Sequence, residues 1–419
     1  MKSIRKILFG VLLLAVGGTT YAQISTNTPY SRYGLGDLSD HSFAGNAGMG
    51  GTGIGYRTPF HINPMNPASY SAVDSLSFMF DMGVSLKQSQ FKESGLKINA
   101  NNSSFDYLAA QFRLHRRVGL SLGMLPVSTV GYKFSATTNV ADADVKAYNT
   151  MSGSGGLQKA YIGIGAKLFP QLSIGANVAY LYGTIDHSNT LTLSNGGDQT
   201  TQTHTLKVNS YTLDFGLQYT QKIGKTDFLT IGATYALGHN LGSEDKQVVS
   251  LTDGSTYKKT TETIVKDGYS LPHSYGVGIS YAHGNRWLFN ADYAVQQWKN
   301  AIYINKDNAY LNRTRIALGA ELLPAANSRK YFARVRYRVG AFYTTPYVTT
   351  PSGDAPKEYG VSAGIGLPLS TYQRNSVLNI TGQFVRATAA NSMLMSENRF
   401  VIKVGLTFNE RWFMKWKIQ

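Results

Sequence analysis

Residues Leu157 to Ile185 read LQKAYIGIGAKLFPQLSIGANVAYLYGTI. From Ala160 every second side chain is apolar: Ala160, Ile162, Ile164, Ala166 and Leu168. Tyr161, Gly163, Gly165, Lys167 and Phe169 lie between them. After Phe169-Pro170-Gln171 the alternation resumes with Leu172, Ile174, Ala176, Val178, Tyr180 and Tyr182. A period of two is a β-strand, and a short break containing proline is a hairpin turn. Each arm is about ten residues long, the length a tilted strand needs to cross a bilayer. One face is apolar and the other carries glycine, serine, asparagine and lysine. That pattern fits lipid on one side and a polar lumen on the other.

The same unit recurs along the chain. Alternations at Leu76–Leu86, Ser104–Leu114 and Val118–Phe134 precede the hairpin, and nine more follow it, from Tyr211–Tyr219 to Phe400–Phe408. The total of fourteen is even, as a closed antiparallel bacterial barrel requires. Short turns are expected at 115–117, 169–171, 222–225, 283–285, 324–328 and 371–373. Long loops are expected near 87–103, 135–156, 186–205, 239–268, 299–310, 345–357 and 387–398. Short and long alternate, and periplasmic turns are short while extracellular loops are long. Both chain ends are therefore expected in the periplasm. Tyr180, Tyr219, Trp287, Trp298, Tyr343, Phe408 and Trp412 stand at strand ends, where interfacial aromatic girdles form. The expected fold is all-β, a 14-stranded antiparallel transmembrane β-barrel over residues 75–412 with a periplasmic tail at 413–419.

The chain has 419 residues, 43 glycines, 27 tyrosines and no cysteine, and 15% of its residues are charged. Lys2, Arg5 and Lys6 precede an apolar run from Ile7 to Val16, and Thr20-Tyr21-Ala22 offers a cleavage site before Gln23. Residues 1–22 therefore read as a secretory signal peptide. No later run approaches the roughly 20 apolar residues of a transmembrane helix. Removing Lys2, Arg5 and Lys6 takes the formal charge from +16 to +13. The basic residues are scattered, so attraction to lipopolysaccharide and outer-membrane lipid, or to an acidic partner, is expected, and nucleic acid is not. Without cysteine there is no disulfide or thiolate chemistry.

Residues 23–74 do not alternate. They contain NTPYSRYGLGDL, GNAGMGGTGIGY and INPMNPASY, rich in glycine, proline and asparagine. A barrel this wide is not filled by its own side chains, so residues 23–74 are the expected plug, entering from the periplasmic side. A Gly-rich segment ending in Asn66-Pro67-Ala68 ahead of fourteen strands resembles the FadL-type (OMPP1/FadL/TodX) family of outer-membrane channels for hydrophobic compounds. GSGGLQKAYIGIGAKL, LPHSYGVGISY and ADYAVQQW are similar to that family's later strands. The resemblance implies that Asn66, Pro67 and Ala68 sit in a hatch inside the barrel. One branch of the family includes an accessory barrel of type IX secretion, which implies docking of protein partners.

Pro126 interrupts the third strand. Proline cannot donate to a ladder, so the strand is expected to bulge or open there. The family resemblance implies an inward kink and a lateral opening; the alternative is an inert bulge. Gly48-Met49-Gly50-Gly51-Thr52-Gly53 matches GxGxxG but lacks the strand, helix and acid of a dinucleotide site. Gly360-Val361-Ser362-Ala363-Gly364 matches GxSxG, yet Ser362 lies inside an alternating strand rather than at a strand–turn–helix. The eight histidines form no HExxH or clustered ligand set. Neither an enzyme nor a bound cofactor or metal is expected.

Parity places arginines inside the barrel. With Val335, Tyr337 and Val339 facing lipid, Arg334, Arg336 and Arg338 face inward, as do Arg313 and Arg315 on strand ten. A turn centred near Ala326–Asn327 would set Arg338 opposite Arg315. Like charges directly opposite destabilise a sheet, so counter-charges are needed. Glu321, Asp292 and Asp214 on the wall, or Asp37, Asp40 and Asp74 in the plug, could supply them. The other source is the anionic head group of a ligand. The expected function is passive uptake of small, fatty-acid-like hydrophobic compounds, entering from the extracellular loops and leaving laterally near the third strand. The alternative is a non-transporting accessory barrel that docks secretion or outer-membrane assembly components. A polar-solute porin is the third option, against which a plug argues. A transporter needs a continuous apolar path through the lumen, whereas a docking barrel can be filled solid.

Overall fold

The computed structural model describes residues 26–93, 96–139, 145–195, 199–253, 256–304, 310–351, 353–369, 376–389 and 395–411. The expected leader and C-terminal tail lie outside these residues, as do Trp412 and the 371–373 turn. Fourteen strands form one closed antiparallel barrel. They are β1 (Ser77–Glu93), β2 (Leu96–His115), β3 (Val118–Asn139), β4 (Lys146–Lys167), β5 (Leu172–Leu193), β6 (Gln199–Lys222) and β7 (Phe228–Ala236). There follow β8 (Ser274–His283), β9 (Trp287–Gln296), β10 (Arg313–Leu322), β11 (Arg336–Thr344), β12 (Lys357–Pro368), β13 (Val377–Thr388) and β14 (Ser396–Arg411). Each strand pairs with its sequence neighbours, and β14 closes the ring on β1 from Ser77↔Arg411 to Lys92↔Ser396.

The opening hairpin faces as its alternation predicts. Ile162, Ile164, Ile174, Val178 and Tyr180 are exposed on the outside, whereas Tyr161, Ala179 and Leu181 are buried. Outward apolar side chains such as Val277, Ile279, Leu318, Val339 and Val361 continue this band round the ring. A barrel turns inside out relative to a soluble protein because lipid, not water, touches its outer wall.

Several expected loops are strand. β1 and β2 run through 87–103, and β3 to β6 occupy most of 135–156 and 186–205. Within 239–268, Ser243–Asp253 and Thr256–Lys266 form a hairpin that adds to the upper half of β6. Beyond the bilayer neither face meets lipid, so apolar alternation stops while backbone pairing continues. TTQTHT at 200–205 is such a stretch.

The 324–328 turn is also corrected. Residues 323–335 connect β10 to β11 and contain a 3₁₀ helix, Tyr331–Arg334. Glu321, not Arg315, therefore stands opposite Arg338, and Arg315 faces Thr344. Arg334 lies in that helix rather than on a strand, and Val335 is buried instead of facing lipid. Alternation of side chains cannot reveal the length of a connection, which alone sets register.

The N-terminal segment packs against the inward face of the wall, running from the loop end to the turn end. At the loop end the Tyr30 hydroxyl donates to the Met395 carbonyl at 2.6 Å. At the turn end the 3₁₀ helix Pro67–Ala72 lies on Gly119, Gly165 and Gly175. The first described part of the segment thus lies at the loop end, whereas entry from the turn end is expected. Its junction with β1 fixes one end, and its length carries the other across the lumen. Trp298, expected in a girdle, is buried in a loop-end cluster with Leu35, Tyr269, Tyr310 and Tyr347.

Candidate functional site

The interior is built by an exchange of backbone for side chain. At Gly216, Gly232, Gly319 and Gly340 a Cβ would collide with Asn66, Ile54, Met49 and Gly50 respectively. Glycine on the inward face therefore lets the N-terminal segment lie directly on the wall. Polar wall residues then satisfy its backbone. Asp292 accepts from the Gly53 and Ile54 N–H groups at 2.6 and 2.9 Å. Ser362 accepts from Gly50 N–H at 3.0 Å and donates to the Gly48 carbonyl at 3.1 Å. The GxSxG serine and the GxGxxG loop are thus parts of one structural contact.

Asn66 is fully buried. Its side-chain amide donates to the Ile54 carbonyl at 2.8 Å and the Leu217 carbonyl at 3.2 Å, and its oxygen caps Ala68 N–H at 3.1 Å. Pro67 follows at the first helical position, where its missing N–H costs nothing. Ala68, also fully buried, passes its carbonyl to Arg57 at 2.9 Å. Asn66→Ala removes all three bonds and orphans buried groups. It is expected to cost on the order of 2–3 kcal/mol, read as a lower urea midpoint of the refolded barrel.

The five arginines expected to face inward do not form one stripe. Arg336 and Arg338 both bind Glu321 at 2.6 Å, and Arg338 also donates to Asn379 at 2.6 Å. Arg315 reaches Asp40 at 3.5 Å and the Gly50 carbonyl at 3.0 Å. Arg334 lies over the Tyr331 ring in the β10–β11 connection. Arg313 lines the interior cavities, and its guanidinium makes no hydrogen bond or ion pair with a described residue. Of the other expected counter-charges, Asp214 binds Lys159 at 3.3 Å, Asp292 holds backbone amides, and Asp74 caps Ser75.

A further network, with no motif behind it, surrounds Asp37 and Asp40. Asp37 meets Arg399 at 3.6 Å and Lys87 at 3.9 Å, and Arg399 also pairs with Glu358. Asp40 meets Lys403 at 3.7 Å. Burial pushes the Asp40 carboxyl up, but Lys403 and Arg315 outweigh it and hold it below the ordinary carboxylate range. Burial, with Lys159, pushes His41 down to about 3. The inward parity of Lys87, Arg399 and Lys403 was the available sequence signal.

Pro126 stands where the wall splits. The β2–β3 ladder ends at Leu108↔Met124. The flanking ladders continue to Glu93↔Leu96 and Asn139↔Lys146. β3 bulges between Pro126 and Ser128. Above the split, Asp37–Leu38 pairs with Ser128–Thr129 of β3, and Ser39 N–H donates to the Val127 carbonyl at 3.0 Å. A cavity of about 150 Å³ lies behind this seam, lined by Pro126, Lys87, Asp106, Arg313 and Arg399 among others.

A closed ring of fourteen antiparallel strands with an N-terminal segment on its inward face is a β-barrel with the fold seen in FadL-type channels. The profile of the BamG family matches residues 3–419, and the chain belongs to that family. Its fold is similar to that of the P. putida toluene transporter TodX (TM-score 0.60, 16% identity, 88% of this chain and 98% of that chain). It is likewise similar to the Ralstonia pickettii toluene transporter TbuX (0.61, 15%, 88% and 98%). A Pseudomonas aeruginosa FadL homologue gives 0.63 at 13% identity over 89% and 99% of the two chains. No curated protein sequence matches.

Proposed function

We propose that this barrel is a non-transporting accessory component that docks other outer-membrane assembly proteins. The observation that carries this reading is the filled interior. The N-terminal segment is sewn to the wall by backbone contacts and ion pairs. Among the described residues, interior cavities of about 90, 150 and 230 Å³ are each lined by charged side chains. An aromatic cluster of Tyr269, Trp298, Tyr310 and Tyr347 packs at the loop end. A hydrophobic compound would have to cross charged surface, whereas a scaffold loses nothing by being solid. The family name, which points to assembly-related partners, agrees. Under this reading the long connections face the outside medium, following the short–long rule.

One observation favours the second reading, uptake of a hydrophobic compound with lateral exit. The β2–β3 split begins about seven residues above the turn end, roughly 20 Å along the strand, and so within an apolar band about 25 Å tall. Pro126→Ala separates the two. If the barrel docks, wild type and Pro126→Ala cells take up a fluorescent fatty acid equally, at the rate of cells lacking the protein. Depletion then slows folding of other newly exported barrels to their heat-modifiable form. Uptake that depends on the protein and falls with Pro126→Ala, at unchanged barrel assembly, would replace docking by transport.

A further inference from the structure

On the outer wall at the turn end, two features fall on the same strands. The first is cationic. The β10–β11 connection carries Arg329, Lys330 and Arg334, and Arg286 joins them because its carbonyl accepts from Leu323 N–H at 2.8 Å. None of the four forms an ion pair with a described residue. Asp227, on the neighbouring turn, is engaged by His283 at 3.0 Å and Tyr281 at 3.2 Å. Among the cations stand Tyr331 and Phe332, the latter 76% exposed. This short helix lies on the lipid side of the wall. The hydroxyl of outward-facing Tyr337 donates to the Phe332 carbonyl at 3.2 Å.

The second feature is a shallow apolar furrow, open to the outside, lined by Phe289, Ala291, Leu318, Ala320, Val339 and Ala341. Cross-strand pairing explains it. Ala320 lies between Phe289 and Val339, while Ala291 and Ala341 flank Leu318 in the next row. Alanine between bulky neighbours leaves a furrow. The groove begins one row from Trp287, Leu322 and Tyr337, roughly 7 Å along the strands from the connection.

We propose that groove and cations together bind one anionic phospholipid of the leaflet at the turn end. The phosphate sits among Arg329, Lys330 and Arg334, and an acyl chain lies along Ala320. Phe332 and Tyr331 occupy the interface between the two, where amphipathic rings settle. The charge complementarity commits the patch to an anionic head group, since no described acid offsets the four cations. This inference is independent of whether the barrel docks or transports.

The test is native mass spectrometry of the full barrel in non-ionic detergent, titrated with phosphatidylglycerol or with phosphatidylcholine of the same chains. Wild type is expected to hold phosphatidylglycerol on the order of 10- to 100-fold more tightly. The triple variant Arg329→Gln, Lys330→Gln, Arg334→Gln should bring it to the phosphatidylcholine level and leave phosphatidylcholine unchanged. Ala320→Phe, which fills the groove, should weaken both lipids alike. Heat-modifiable mobility reports folding, and Arg329→Gln alone stands in if the triple variant does not fold. Equal affinities for the two lipids in wild type would overturn the site, as would a folded cationic variant that binds as wild type does. Occupation by an acidic protein partner would give one of those two results.

Discussion

Replacing Glu321 with alanine is expected to destabilise the barrel more than any other single change to a wall charge. Glu321 is 5% exposed and Arg338 2% exposed. The carboxylate is the acid shared by Arg336 and Arg338, each at 2.6 Å. Removing it leaves two guanidinium groups facing each other without compensation, and breaking a buried pair costs about 3–5 kcal/mol. The measurement is urea unfolding of the refolded barrel, followed by the loss of heat-modifiable mobility. Glu321→Gln keeps one acceptor oxygen but neither the charge nor the second acceptor, so its loss should be intermediate. An unchanged midpoint for Glu321→Ala would mean that Asn379 alone satisfies Arg338 and that Arg336 turns elsewhere.

The second large effect is expected at Gly340. A Cβ there would meet the backbone of Met49 and Gly50. Backbone cannot retreat as a flexible side chain can, so Gly340→Val should force residues 48–51 off the wall. The cost is about 3 kcal/mol, at the upper end for overpacking, which raises the open population on the order of 100-fold. Arg57 reports it. Its guanidinium is tied to Gln218 at 3.1 Å and Ser71 at 2.9 Å, so tryptic cleavage after Arg57 should accelerate in the variant. Gly382→Val is the control, because a Cβ there makes ordinary contact with Phe400 at 3.9 Å. Equal cleavage of Gly340→Val and wild type would show that the segment is not held by this close approach.

Strand count, facing and closure were legible in the chain because lipid imposes a period-two pattern on every spanning strand. Alternation alone assigns Ile162, Ile164, Val178 and Tyr180 outward, and Arg336 and Arg338 inward. Pro126 could be singled out because a missing N–H is a local property. Other features were not local. The polar stretches around 87–103 and 186–205 continue as strand because a neighbouring backbone pairs with them, and no side-chain pattern records that. The partner of Arg338 depended on the 3₁₀ helix in the β10–β11 connection, which moved the register to bring Glu321 opposite. Asp37 and Asp40 met Arg399, Lys403 and Arg315 only once the N-terminal segment had crossed the lumen from the loop end. The sequence by itself determined the wall, since each strand's facing is set by its own solvent. Tertiary structure decided the filling, because which charges meet inside a closed ring depends on connection length and chain path rather than on local pattern.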